Sequence, residues 1–164
     1  MTIKLKFFNY LFVLVCLIMG TGMSMHAQEQ PFTRINSIEE LNDGDRFIVV
    51  NENFKAAPSE WSGTKYFKYT TLELSEGKAI ARNKVAIFTL EKAGSYYHLK
   101  TEKGKYLSNA STSSTYASEL IDTLKKASNA NITFKGQYAI IEFKDNVQRA
   151  FLFAENTGFS CYDY

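Results

Sequence analysis

One run of residues occurs twice in this chain, and its form restricts the fold more than any other feature. Ile87-Phe88-Thr89-Leu90-Glu91-Lys92 leads through a glycine turn into Tyr96-Tyr97-His98-Leu99-Lys100, then through a second glycine turn into Lys105-Tyr106-Leu107. The later run is Asn131-Ile132-Thr133-Phe134-Lys135, Gly136, Gln137-Tyr138-Ala139-Ile140, a turn, and Ala150-Phe151-Leu152. A fainter copy begins at Gly44, with Arg46-Phe47-Ile48-Val49, a turn at Asn51 to Asn53, and Lys55-Ala56-Ala57. The aligned strands at Phe47, Tyr97 and Tyr138 start 50 and 41 residues apart, a period that belongs to repeat architectures. Short β-branched and aromatic segments joined by glycine turns must pair antiparallel, so the pattern predicts an all-β barrel or sandwich and excludes a βαβ protein.

The remaining segments agree. Ser37-Ile38-Glu39-Glu40 has capping-box spacing, and the helix it starts must be brief because Asn42-Asp43-Gly44-Asp45 is turn chemistry. From Trp61 to Leu74 the chain is strand-like and half exposed, and Ser75-Glu76-Gly77-Lys78 turns it back through Ala79-Ile80-Ala81. Alternation on the strand at 96–100 puts Tyr97 and Leu99 inward and Tyr96, His98 and Lys100 outward. Ser108 to Ser114 is small and polar, hence a loop. Tyr116, Leu120, Ile121 and Leu124 have a spacing that predicts one or two helical turns.

The N-terminus has a different logic. Lys4 and Lys6 precede an apolar run from Leu11 to Met19, and small residues follow, the order of a secretory signal peptide with its short helix. The run is too short to span a bilayer, which takes about 20 apolar residues. Cleavage is expected after Ala27, giving a signal at 1–27, a short leader at 28–34 and a single β-rich domain at 35–164. Cys16 is not read as a lipidation site, since Val15 stands where a small residue is needed and Leu17-Ile18-Met19 stay apolar. The product is expected to be periplasmic or extracellular, with no membrane span after cleavage.

Cleavage changes the composition. Lys4 and Lys6 leave, so the formal charge falls from +2 to zero, and a neutral domain lacks the basic footprint that nucleic acid requires. Met1, Met19, Met23 and Met25 also leave, so the core must be built from Phe, Tyr, Ile, Leu and Val. Cys161 alone survives of the two cysteines, too few for an internal disulfide; it is expected to be a buried residue of the closing strand.

Chemistry is sparse. His98 is the one histidine left after cleavage, and an outward imidazole without a partner makes neither a nucleophilic triad nor, with a single cysteine, a zinc site. Asp43 and Asp45 around Gly44 lack the later ligands of a calcium loop. Glu142 and Asp145 form a carboxylate pair with nothing to raise the pKa of one member. Gly104-Lys105 lacks the rest of a phosphate loop. No catalytic residue, metal or cofactor is expected. Trp61, Tyr66, Phe67 and Tyr69, interleaved with Lys65 and Lys68, are the candidate ligand-binding residues, because flat aromatic faces stack on sugar rings and anchor protein partners. The competing reading has alternate members packing inward and the others falling singly on the surface.

The repeat resembles the β-trefoil folds, whose three four-stranded units close into a short barrel capped by hairpins. The unit at 87–108, ending Gly104-Lys105-Tyr106-Leu107-Ser108, is similar to the repeat of fascin-type trefoils. The chain departs from ricin-type lectins in having no Gln-x-Trp repeat. The resemblance implies a barrel of three repeats over about Ile35 to Tyr162, another antiparallel barrel or a sandwich being the alternative. The expected function is a non-catalytic, secreted binding module for a glycan or a cell-surface partner. A structural or assembly protein of the envelope, associating through Cys161 or an edge strand, is the second class, and a hydrolase ranks third.

Overall fold

The computed structural model describes residues 11–15, 30–81, 83–109, 118–136, 138–143 and 148–163. The fold is all-β, and its pairings are antiparallel throughout. In chain order the strands are β1 (Leu11–Val15), β2 (Gln30–Arg34), β3 (Arg46–Asn51), β4 (Ala56–Trp61) and β5 (Phe67–Thr71). Next come β6 (Glu73–Ser75), β7 (Lys78–Ala81), β8 (Phe88–Ala93), β9 (Tyr96–Thr101) and β10 (Tyr106–Asn109). The last five are β11 (Ser118–Ile121), β12 (Ala130–Lys135), β13 (Tyr138–Phe143), β14 (Arg149–Ala154) and β15 (Gly158–Tyr162).

Six of these strands form a closed circuit of pairings. β3 pairs with β8, β8 with β9, β9 with β12, β12 with β13, β13 with β1, and β1 returns to β3. Closure gives every ring strand a neighbour on both sides, with Ala130 of β12 opposite Tyr97 of β9 and Leu11 of β1 opposite Ala139 of β13. β3, β9 and β13, the strands aligned through Phe47, Tyr97 and Tyr138, occupy alternate places around the ring. Each is followed in the chain by a further antiparallel pair: β4 with β5, β10 with β11, and β14 with β15.

The main core fills this framework with aromatic rings. Phe67, Phe88 and Phe151 meet edge to face, with centroids 5.6 Å apart for Phe67 and Phe88 and 6.1 Å for the other two pairs. Such pairs contribute about 0.5–1.5 kcal/mol each beyond the area they bury. Phe47, Leu90, Leu99, Ile132, Ile141 and Phe143 pack in the same cluster. β3 is apolar without alternation because both its faces are covered: Phe47 and Val49 belong to the main cluster, Ile48 and Val50 to a second one with Phe32, Leu72, Ala79, Val85 and Ile87. That second cluster lies under a three-stranded sheet in which β7 pairs with both β2 and β6.

Local chemistry sets the connections. Ser37 and Glu40 frame a single 3-10 turn, Ile38–Glu40, in which Glu40 Oε1 accepts from the amides of Asn36 and Ser37 at 2.9 and 3.1 Å. Asp43 and Asp45 serve the adjoining turn, accepting from the amides of Lys92 at 2.6 Å and Asn42 at 2.7 Å. Gly158 has φ +106°, and a Cβ there would collide with the carbonyl oxygen of Phe67 on the neighbouring strand.

Two expectations need correction. The segment expected to hold helical turns is strand β11 followed by a 3-10 turn at Leu124–Lys126; four-residue pairing with β10 outweighs a helical spacing over so short a stretch. Tyr116 lies outside the described residues. Gln30–Arg34, within the expected leader, forms strand β2. Leu11–Val15, read within a signal helix, is extended and pairs with β3 over its full length; β-branched and aromatic residues suit an open strand edge. The rest of the expected signal, residues 1–10 and 16–27, and the expected cleavage point lie outside the described residues. Among the described residues, no helix is long and apolar enough to cross a membrane.

Replacing Gly158 by alanine is expected to lower unfolding free energy by at least ~2 kcal/mol, since the left-handed backbone and the Phe67 carbonyl both oppose a side chain. Urea denaturation followed by tryptophan fluorescence measures it.

Candidate functional site

Trp61 stands at the end of β4, where the register between β4 and β5 shifts between Pro58 and Trp61. The irregularity reflects Pro58, which gives no amide to the ladder. Beyond it the chain turns through Ser62, Gly63 and Thr64, where the Ser62 and Thr64 hydroxyls are 3.1 Å apart, and Ser62 N donates to Tyr66 O at 3.0 Å. This turn returns Phe67 opposite Trp61, and the two rings meet edge to face at 5.0 Å. The indole, half-buried, therefore rests on a phenylalanine that is itself part of the core.

A cavity of about 700 Å³ opens beside the indole. Its apolar lining is Trp61, Phe67, Val85, Ala86, Ile87 and Leu120; its polar lining includes Glu60, Thr64, Lys84, Thr101, Glu102, Lys103, Lys105 and Glu119. Three chain segments are held together there. Ala86 N donates to Pro58 O at 2.7 Å, tying the Lys84–Ile87 stretch to β4. The tight turn after β9 is closed by Thr101 N donating to Lys105 O at 2.7 Å and Gly104 N to Thr101 O at 2.8 Å. Lys105 Nζ reaches Asp122 Oδ1 at 3.1 Å, and Arg46 Nη2 meets Glu102 Oε1 at 2.6 Å. The rim is thus charged with both signs and fixed on turns rather than on long loops.

The four aromatic residues singled out by sequence separate. Trp61 and Phe67 line the cavity, Phe67 as a buried wall. Tyr66 is half-buried and does not line it. Tyr69, 43 % exposed, points elsewhere: its ring meets Phe153 edge-on at 5.1 Å. Phe54, also 43 % exposed, lies against the same Phe153 at 5.2 Å, so Phe54, Tyr69 and buried Phe153 make a second aromatic patch. Phe54 escaped sequence reading because it sits alone in a polar turn. Arg149 escaped it as well: it is 2 % exposed, with Nε donating to Asp163 Oδ1 at 2.8 Å and Nη1 to Asn109 Oδ1 at 3.2 Å.

His98 is buried, not outward as alternation predicts. β9 has ring neighbours on both edges, and its far face is covered: His98 Nδ1 is 3.3 Å from Ser128 O, and the ring packs against Tyr106 at 6.2 Å. Beside it, Glu91 accepts from Lys100 Nζ and from Tyr106 Oη, both at 2.8 Å. The Lys100 bond leads in holding the Glu91 carboxyl below its ordinary range. Glu142 is 3.3 Å from Asn131 Nδ2, while Asp145 lies outside the described residues. Among the described residues, no group of three or more His, Cys, Asp or Glu side chains is placed to hold a metal ion.

Cys161 is fully buried on β15 and free. Ser118 Oγ accepts from its amide at 2.9 Å and lies 3.2 Å from its sulfur. Burial pushes the thiol up to about 12, which removes the thiolate needed for nucleophilic or metal-ligating chemistry at neutral pH.

Compared with protein-family models, with curated proteins and with solved structures, the chain shows no match.

In the folded state Cys161 is expected to resist a disulfide-exchange thiol reagent at pH 8 and to react once urea unfolds the chain. Because the folded thiol holds its proton above the ordinary value of 9.0, the unfolded state loses its proton first. Stability contributed by this group is therefore complete below pH 9 and declines as pH rises toward 12. Titrating the urea midpoint against pH for the parent and Cys161→Ser checks the difference.

Proposed function

We propose that the chain is an exported, non-catalytic β-trefoil module that binds a glycan in the cavity beside Trp61. The trefoil reading is supported by the alternation of β3, β9 and β13 around a six-strand ring, each followed by its own antiparallel pair. Export is supported by the basic, apolar and small-residue order of residues 1–27. The binding reading rests on one observation: an indole held edge-on by Phe67 in the lining of a cavity of about 700 Å³ that also carries hydroxyl, ammonium and carboxylate side chains. Sugars present apolar C–H faces and polar edges, and this surface offers one partner for each. A trefoil of this kind needs no chemistry of its own, which accords with a buried His98 and a protonated Cys161.

Glycan-array binding of the exported product is expected to survive Tyr69→Ala and to weaken about tenfold or more in Trp61→Ala, the loss of an anchoring aromatic. Equal binding by Trp61→Ala and the parent would remove the assignment. N-terminal sequencing of the product recovered from a bacterial periplasm is expected to begin at Gln28; an intact Met1 would reject export.

A further inference from the structure

The ring is completed by its least expected member. Around the circuit, β3 and β9 alternate with β8 and β12, and each of the latter follows in the chain the strand pair that precedes it. The remaining place, between β13 and β3, is held by β1, which comes before every other strand. β1 matches β3 residue for residue, from Leu11 opposite Asn51 to Val15 opposite Phe47. Its other edge pairs with β13 at Leu11 and Ala139, and with β2 at Leu14–Arg34 and Val15–Thr33. These five residues also lie inside the apolar run of the export signal, so processing after Ala27 separates them from the domain they complete.

An acceptor without its strand is costly on two counts. β3 would present a row of unpaired amides and carbonyls along its length, an edge that readily takes another strand. Phe47, Ile48 and Val49, each 0 % exposed in the closed ring, sit on that same edge strand between the two apolar clusters. On its other edge β3 meets β8 at Arg46 and Phe47 and β4 at Asn51, so those neighbours already have their places.

We propose that the place between β3 and β13 is a strand-acceptor site: it is occupied by Leu11–Val15 in the unprocessed chain and, once that segment is cut away, binds an extended apolar strand of a partner polypeptide antiparallel to β3. Recognition is by main-chain hydrogen bonds along Phe47–Asn51, with preference for β-branched and aromatic residues and rejection of proline. This site is distinct from the Trp61 cavity, and its occupation sets the stability of the whole barrel.

The test uses the full chain, made without membranes so that no signal processing occurs, with a protease recognition sequence inserted between Gly20 and Ser24. Cleavage of the folded protein frees β1 covalently and bypasses the export question, so failure here is separable from failure of the export reading. The probe is a fluorescein-labelled peptide of residues Asn9 to Val15 carrying terminal lysines. After cleavage the N-terminal piece is expected to co-elute with the domain and to be replaced by excess labelled peptide. A peptide carrying V13P is expected to bind at least ~100-fold more weakly, because it loses a ladder donor at the centre of the strand. Hydrogen exchange of the β3 amides is expected to slow when the unmodified peptide is bound. Release of the cut piece with no change in melting temperature or in β3 protection would overturn the proposal, as would equal binding of the two peptides. A cut domain that pairs with a second copy and excludes the peptide would overturn the assignment to a partner strand.

Discussion

Backbone hydrogen bonding at strand edges is the constraint on which the rest of this molecule depends. A strand leaves one peptide group in two unsatisfied along each free edge, and a sheet of short strands has many edges for its size. The six-strand circuit removes those of the ring. It also creates the interior that Phe47, Phe88, Phe143 and Phe151 occupy, so the aromatic core and the ladder are one arrangement seen from inside and outside. β3 shows the coupling best, since it pairs along both edges and carries apolar side chains into a cluster on each face.

The strand pairs that follow β3, β9 and β13 then set what the surface can do. The pairing of Trp61 with Phe67 is local, fixed by the irregularity after Pro58 and the Ser62–Thr64 turn, yet the cavity beside it needs the turn after β9 and the start of β11. Besides Glu60, Thr64 and Lys84, its polar lining comes from Thr101, Glu102, Lys103, Lys105 and Glu119, 40 to 58 residues beyond Trp61 in the chain. The Phe54–Tyr69–Phe153 patch is built likewise, from the turn before β4 and from the first and third of these pairs. Sites assembled from turns on a closed circuit of strands are held by the pairings of that circuit.

The candidate site was partly legible. Trp61 stood out because a tryptophan among lysines and tyrosines is conspicuous, but its separation from Tyr69 was not visible, since one bulge decides which way the two ends of a hairpin present their rings. His98 was misread for a related reason. Alternation assigns a side chain to one of two faces, and the second face of β9 turns out to be covered by Tyr106 and Ser128, which adjacent residues do not reveal. Arg149 and Phe54 gave no local signal at all, because burial of a guanidinium depends on Asn109 and Asp163 arriving from other parts of the chain.

Taken alone, the amino-acid order determined the all-β class and the positions of most turns. These follow from two-residue periodicity and from glycine's tolerance of positive φ, which are properties of neighbours along the chain. Tertiary structure alone decided that Leu11–Val15 closes the ring, that His98 and Arg149 are interior, and that Trp61 faces a cavity while Tyr69 does not. Each of those outcomes turns on which edge or face remains open after the other strands have paired, and that is a property of the whole barrel.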